Sequence, residues 1–542
     1  MKNYIKKMLP AIIIAFSFIF MLFIYEPIIM YSASPGDFWF SFNVLIKSNI
    51  LFFIGTFLLL FALSSIVYLI SVLLKKNIIY KIYLMLFSSG FIFAYLQGNY
   101  FSKKLPLLDG SPIIWNNYSK ESVISYVLIV TVLLINIILL LKFKETYKKI
   151  ISYVSVSILI MLTAGLIPIL INNKELYQKK GMYISTTNNI NVLSKNKNFL
   201  ILLVDMLDSR TFDKVLKDND KEYLFKDFTY YPDTLATYPF TRESIPFILS
   251  GKWYEAKTPY QEYYNDALDN SSFLKTLRKD GYDINIYEQE LQWTSKNSLK
   301  TKNYKNINND LDIIRLFKEE SKYIRFKYLP FSLKKYSMIE SMDFITSRKP
   351  DLTVPNIFLN GNKEVYDILD NIEVQKNNYF QFVHIAGGHY PWDMNKDFEK
   401  IENGTYEEKI ESAITVIEKY LNRIKKSGQY DNSVIIILAD HGNNGYDPVG
   451  RQNPSLYIKG FSEKHDKINI SDKKVSYTDL NDSIYSDLLN GKKSNELLKN
   501  NNEKRVRRFI WYKDYDKMYE QTLDGHAWET KKLKNTGKRY ER

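Results

Sequence analysis

The chain has 542 residues, with 73 Lys and Arg against 59 Asp and Glu, five His and no Cys. The lack of Cys excludes disulfides, Cys-ligated zinc and thiol catalysis, and it leaves the redox compartment undecided. The net charge of +14 suits anionic lipid or polymer, and equally a Lys-, Asn-, Ile- and Tyr-rich coding bias; no basic block interleaved with stacking aromatics points to nucleic acid.

Five apolar segments precede residue 175, each near the ~20 residues a helix needs to cross a bilayer. They run from Leu9 to Met30, Ile50 to Leu74, Ile79 to Leu96, Val123 to Leu141 and Ile150 to Ile171. Lysines gather at alternate ends: MKNYIKK before the first span, Lys75, Lys76 and Lys81 between the second and third, and KFKETYKK between the fourth and fifth. Cytoplasmic loops carry the excess of Lys and Arg, so the amino terminus is expected inside and everything after Ile171 outside. The small residues of YSAS leave open a cleaved signal peptide in place of the first span; the later part faces outward in either case.

Residues 176–197 read as a linker between a multi-span domain (1–175) and a soluble α/β domain (198–495). In the latter, apolar runs alternate with helical stretches, the pattern of a mostly parallel sheet covered on both faces. FLILLVDMLD is a buried-strand run ending at Asp205. YPFTRESIPFILSG follows, and Thr241 within it has two readings: an N-cap, or a nucleophile at a helix N-terminus, where backbone N–H groups favour an anion. YFQFVHIAGGHYPW ends a second run at His384, with His389 after a Gly-Gly turn, and SVIIILADHGNNG ends a third at Asp440 and His441. Ligands bind beyond the carboxyl ends of such strands, and a charge placed there is costly unless paired or bound to a metal. Three of the five histidines fall in these motifs; His465 and His526 lie in polar surroundings and receive no role. Residues 496–542 alternate aromatic and charged positions and are expected to form a small antiparallel sheet or tail.

Taken together, these motifs resemble the alkaline phosphatase superfamily, and within it the sulfatase-like membrane enzymes that include lipoteichoic acid synthases and phosphoethanolamine and glycerol-phosphate transferases. LVDMLD looks like the family's first metal-ligand strand and TRESIPFILSG like its nucleophile signature. HIAGGHYPW is similar to its histidine substrate loops and ADHG to its metal motif. The resemblance implies a five-helix transmembrane region followed by an extracellular α/β/α sulfatase-like domain. It implies one divalent metal ion (Mn²⁺, Zn²⁺ or Mg²⁺) held by Asp205, Thr241, Asp440 and His441, with Thr241 as nucleophile and His384, His389 and Arg242 binding substrate. It further implies an anionic phospholipid donor, with a surface polysaccharide, teichoic chain or glycolipid as acceptor; a membrane-bound phosphodiesterase or sulfuric or phosphoric ester hydrolase is the alternative.

Three departures bear on that reading. Sulfatases carry a Cys or Ser that becomes formylglycine where this chain has Thr241, which argues against sulfate-ester hydrolysis. Several of the transferases have Glu where this chain offers Asp205. Pro246 stands five residues into the expected helix, where it should kink the first turns.

Overall fold

A computed structural model of the chain describes residues 2–541 apart from 34, 36–37, 39, 102–104, 106–112, 178–182, 290–292, 296, 307–310, 340–343, 345–355, 444–450, 499–504 and 515–516. Parts of the stretches between the first and second and between the third and fourth expected spans, of the linker, of the GNNG turn and of the carboxyl-terminal stretch therefore lie outside the described residues. The chain divides into two units, Met1–Lys180 with Asn309–Asp351, and Gly181–Asn308 with Leu352–Arg542.

In the first unit, five helices among the described residues are long and apolar enough to cross a membrane: α1 (Tyr4–Ala33), α2 (Phe42–Leu73), α3 (Asn77–Tyr100), α4 (Trp115–Lys142) and α5 (Tyr147–Asn172). Each overlaps one expected span. Leu58, Leu59 and Ile66 of α2 are exposed, so this helix is apolar on its outer face too, as a helix facing hydrocarbon is. Helix α1 runs further than its apolar pattern suggested. Glu26 sits on it directly after a π-helical stretch, Met21–Tyr25. Pro27 offers no N–H to the helical ladder, and a widened turn ahead of it accommodates the ring.

The second unit is built on a seven-stranded sheet: β1 (Asn198–Val204), β2 (Thr229–Tyr230), β3 (Tyr282–Tyr287), β4 (Asn378–Ile385), β5 (Ser433–Leu438), β6 (Leu456–Lys459) and β7 (Asn469–Ile470). Its spatial order is β7-β2-β6-β5-β1-β4-β3. Strands β5, β1, β4 and β3 are mutually parallel, while β6 runs antiparallel to both neighbours, which makes the sheet mixed. In register, Leu438 lies beside Leu203 and Leu203 beside His384, so three strands end at one rim.

Side chains of a strand alternate between faces. Phe199, Ile201 and Leu203, Phe380 and Phe382, and Val434, Ile436 and Leu438 join one buried cluster with Ile245, Phe247, Ile248 and Leu249 of helix α6 (Thr241–Ser250). Leu200, Leu202 and Val204 face the opposite cluster, covered by the helix Tyr406–Lys426. The same parity puts His384 of β4 on the α6 face and, continued past the ends of β1 and β5, Asp205 and Asp440 as well, where Thr241 begins its helix.

Within the linker stretch, Tyr183–Ser185 pairs with Tyr304–Asn306 and Val192–Ser194 with Glu373–Gln375. A three-stranded antiparallel sheet, β8 (Val506–Asp514), β9 (Lys517–Asp524) and β10 (Leu533–Glu541), ends the chain. Buried Asp233 fastens it: its Oδ1 accepts from Arg507 Nη2 at 2.8 Å and from Ala527 N at 2.7 Å, and His526 Nδ1 meets its Oδ2 at 2.7 Å. His465 meets Glu463 Oε1 at 2.9 Å, so both histidines without a catalytic reading have carboxylate partners.

Candidate active site and metal centre

Asp205 follows β1 directly, and Asp440 follows β5 by two residues. The turn after β1 is held by Met206, whose φ of 55° lies in the left-handed region and whose N–H donates to Asp440 Oδ1 at 3.0 Å. Asp440 Oδ1 also accepts from His441 N at 2.9 Å. A non-glycine residue in this backbone region is strained, and here the strain accompanies the joining of two strand ends. Gly387, φ 55°, closes the approach from β4: a Cβ there would overlap the backbone of Asp205.

These turns gather one oxygen of Asp205, one of Asp440 and a ring nitrogen of His441 within 4.8 Å of one another, all in buried residues. Asp205 Oδ1 and Asp440 Oδ2 are buried with no hydrogen-bond partner. Two orphaned carboxylate oxygens are expensive unless a cation joins them. His441 Nδ1 lies 2.8 Å from the Gly442 carbonyl; it donates there, which leaves the Nε2 lone pair facing the carboxylates, 3.3 Å from Asp440 Oδ2. An O, O, N donor set without sulfur fits Mg²⁺, Mn²⁺ or Zn²⁺. The residues present fit a divalent ion.

Thr241 brings its Oγ1 to 3.5 Å from both Asp205 Oδ2 and His441 Nε2. Its place on the helix separates the two readings of the residue. Phe240, in extended conformation, is the N-cap, and its side chain makes no capping bond; Thr241 is the first helical residue. The hydroxyl is aimed at the carboxylates and not back at its own first turn. Pro246 leaves the helix intact. Lacking an N–H, it cannot satisfy the Arg242 carbonyl one turn earlier, and the Tyr260 hydroxyl donates to that carbonyl instead. The Arg242 guanidinium lies over the ring of the same Tyr260, 3.8 Å from its centroid. Gly251, φ 72°, ends α6.

His384 is held between two carboxylates, Nδ1 at 2.6 Å from Glu288 Oε2 and Nε2 at 3.3 Å from Asp205 Oδ2. Burial works to lower the imidazole pKa, but Glu288 and Asp205 outweigh it and hold the ring well above its ordinary value, protonated at pH 7. For Asp205, burial works upward; His389, His384 and His441 together overcome it and keep the carboxyl below the usual range. Asp440 is pushed up by burial and then by the charge of Asp205. His389 donates from Nδ1 to the carbonyl of Tyr390 at 2.6 Å.

The structure thus brings Asp205, Thr241, His384, Asp440 and His441 to one rim, with the charge of His389 acting on Asp205, while Arg242 stacks on Tyr260. The sequence reading missed Glu288. It stands immediately after β3, at the carboxyl end of a parallel strand, and the rule that singled out Asp205 and Asp440 applies to it equally.

A family model described as Sulfatase matches residues 219–473. No curated protein matches the chain. Among solved structures, the chain is similar to Ps i-CgsB in complex with κ-ι-κ-neocarrahexaose, at 14% identity, with 61% of this chain and 82% of that one covered and a TM-score of 0.40. It is similar to an alkaline phosphatase superfamily protein from Vibrio parahaemolyticus (13%, 66% and 85%, TM-score 0.35) and to the lipoteichoic acid synthase LtaP from Listeria monocytogenes (12%, 63% and 88%, TM-score 0.35). The matched stretch contains Thr241, Glu288, His384, His389, Asp440 and His441, and Asp205 lies just before it. After five helices apolar enough to cross a membrane, the chain carries a stretch that the Sulfatase family model matches.

Proposed function

We propose that the protein is a membrane-anchored, metal-dependent transferase that moves a phospho-head group, glycerol-phosphate or ethanolamine-phosphate, from a phospholipid to a cell-surface glycan or lipid through a phospho-threonine. The observation that carries this reading is the Thr241 hydroxyl at the start of α6, 3.5 Å from Asp205 and His441 and beside two orphaned carboxylate oxygens. With no Cys in the chain and Thr at this position, formylglycine chemistry has no precursor here.

Asp205, Asp440 and His441, together with Thr241, would hold a divalent ion. When bound, such an ion supplies positive charge that lowers the pKa of the Thr241 hydroxyl and offsets the phosphoryl oxygens. Thr241 Oγ attacks the phosphorus of the head-group phosphodiester, and the bond to the lipid alkoxide breaks. First-turn N–H groups of α6 favour the anionic phosphoryl oxygens. His384, protonated between Glu288 and Asp205, supplies positive charge and a proton near the leaving oxygen, and His389 binds the phosphoryl oxygens. An acceptor hydroxyl then takes the group from Thr241, completing a ping-pong cycle.

The lysine-rich loops support an amino terminus inside and a catalytic domain outside. Head-group-labelled phospholipid, supplied to membranes containing the protein, should yield diacylglycerol while the label moves onto a glycan or lipid acceptor. Label appearing as free glycerol- or ethanolamine-phosphate assigns the hydrolase reading instead, and no diacylglycerol at all sinks both. In intact cells, a Ser462→Cys variant should react with a membrane-impermeant thiol reagent before lysis; labelling only after lysis reverses the orientation.

Glu288 fixes which nitrogen of His384 faces the site. Glu288→Gln keeps a hydrogen-bonding side chain but removes the charge, so His384 should lose its proton at a lower pH. Turnover should fall about tenfold or more, and its alkaline limb should move to lower pH. An unchanged pH profile would make Glu288 a packing residue only.

A further inference from the structure

The segment Leu311–Ser337 interrupts the sequence of the second unit. Tyr304–Asn306 before it and Asn362–Ile368 after it both belong to that unit, yet Asn309–Asp351 groups with the apolar helices. Its main element is the helix Ile313–Tyr328, followed by a short 3₁₀ helix, Phe331–Ser337.

What holds this segment is more specific than apolar packing. Glu26, on a helix apolar enough to span a bilayer, is fully buried. An ionisable group there is expensive and needs a partner. The partners come from the inserted segment: Lys327 Nζ donates to Glu26 Oε1 at 2.5 Å and Tyr328 OH to Oε2 at 2.6 Å. Helix α3 makes room for the second of these, because a Cβ on Gly98 would overlap the Tyr328 ring. Asn49 of α2 donates to Glu320 Oε1 at 2.9 Å; burial pushes this carboxyl up to about 8, so at pH 7 it is buried neutral. The Phe331 N–H donates to Ser125 of α4 at 3.1 Å. Four spans therefore contribute directional contacts or shape. Lipid chains could replace the apolar contacts, as with Phe317 against Phe23, but not the charged pair.

We propose that Leu311–Ser337 is an internal docking element: it binds the spanning helices, through Glu26 above all, firmly enough to keep the remainder of the chain on the membrane once the connector at 178–182 is cut. The chain then has a non-covalent attachment in addition to its linear one. Removing one partner of a buried ion pair leaves the other charge stranded, so losing the Glu26–Lys327 contact should weaken docking about a hundredfold or more.

The test uses the full chain with a protease recognition sequence in place of residues 178–182, in isolated membranes opened to both sides, with sedimentation after cleavage as the readout. Turnover does not enter, so the result is independent of the proposed reaction. In the otherwise unaltered chain, the fragment carrying residues 183–542 should sediment with the membranes. With Lys327→Glu it should appear in the supernatant, and Glu26→Lys combined with Lys327→Glu should return it to the pellet. Release of the unaltered fragment overturns the proposal. So does retention of the Lys327→Glu fragment, or binding of the isolated fragment to vesicles without the spanning helices, because either assigns attachment to lipid. Release that the charge exchange fails to reverse also overturns it, by removing Glu26 from its role.

Discussion

Thr241→Ala should give a folded protein whose turnover falls by at least about a thousandfold, the scale at which removing a nucleophile from a cooperating site is felt. Its stability should change little. Loss of a capping side chain costs ~0.5–2 kcal/mol, but Phe240 occupies the cap of α6 and the Thr241 hydroxyl makes no capping bond, so that cost does not arise. Thr241→Ser retains a hydroxyl at the same atom and should keep partial activity. Mass spectrometry of the wild-type protein incubated with phospholipid should find a phospho-adduct on Thr241 that the Ala variant lacks. An active Thr241→Ala enzyme would overturn the mechanism, and Ser244 would be examined next; its hydroxyl lies 3.3 Å from the Tyr238 carbonyl, bonded away from the carboxylates.

Asp440→Asn should separate metal binding from folding. Asn keeps an oxygen able to accept from the N–H groups of Met206 and His441, and it places a neutral amide where Asp440 Oδ2 stands without a partner. The variant should therefore fold, and without metal it should be at least as stable as the metal-free wild type, since one of two facing buried carboxylates is gone. Added Mn²⁺, Zn²⁺ or Mg²⁺ should raise the melting temperature of the wild type alone; saturation at a hundred times Kd is worth about 2.7 kcal/mol. Bound metal, measured per chain, and turnover should fall together. Full metal occupancy with full turnover in Asp440→Asn would mean that the site has been misassigned.

Much of this site was legible in the chain because strand ends in a parallel sheet obey simple rules. Buried strands read as unbroken apolar runs, so Asp205, His384, Asp440 and His441 stood out where charge should not follow Leu, Val and Ile. Period-two alternation even fixes the face they share with α6. Other features had no such local signature. A Thr before an apolar helix reads equally well as a cap or a nucleophile; only the backbone of Phe240 and the direction of the Thr241 hydroxyl separate the two. Arg242 beside Thr241 was expected to bind substrate, and its stacking on Tyr260 depends on a helix that begins eighteen residues later.

The sequence by itself determined the five apolar helices, the α/β domain and the residue types of the candidate metal site, because hydrophobic periodicity and the cost of buried charge act over a few neighbouring residues. Only the tertiary structure decided that Glu288 orients His384, that β6 reverses within the sheet, and that Leu311–Ser337 belongs with the spanning helices. The amphipathic pattern of that segment is the same whether its apolar face meets a soluble core or a membrane bundle. What settles the matter is Glu26, about 300 residues away in the chain, whose buried carboxylate must find a cation and finds it at Lys327.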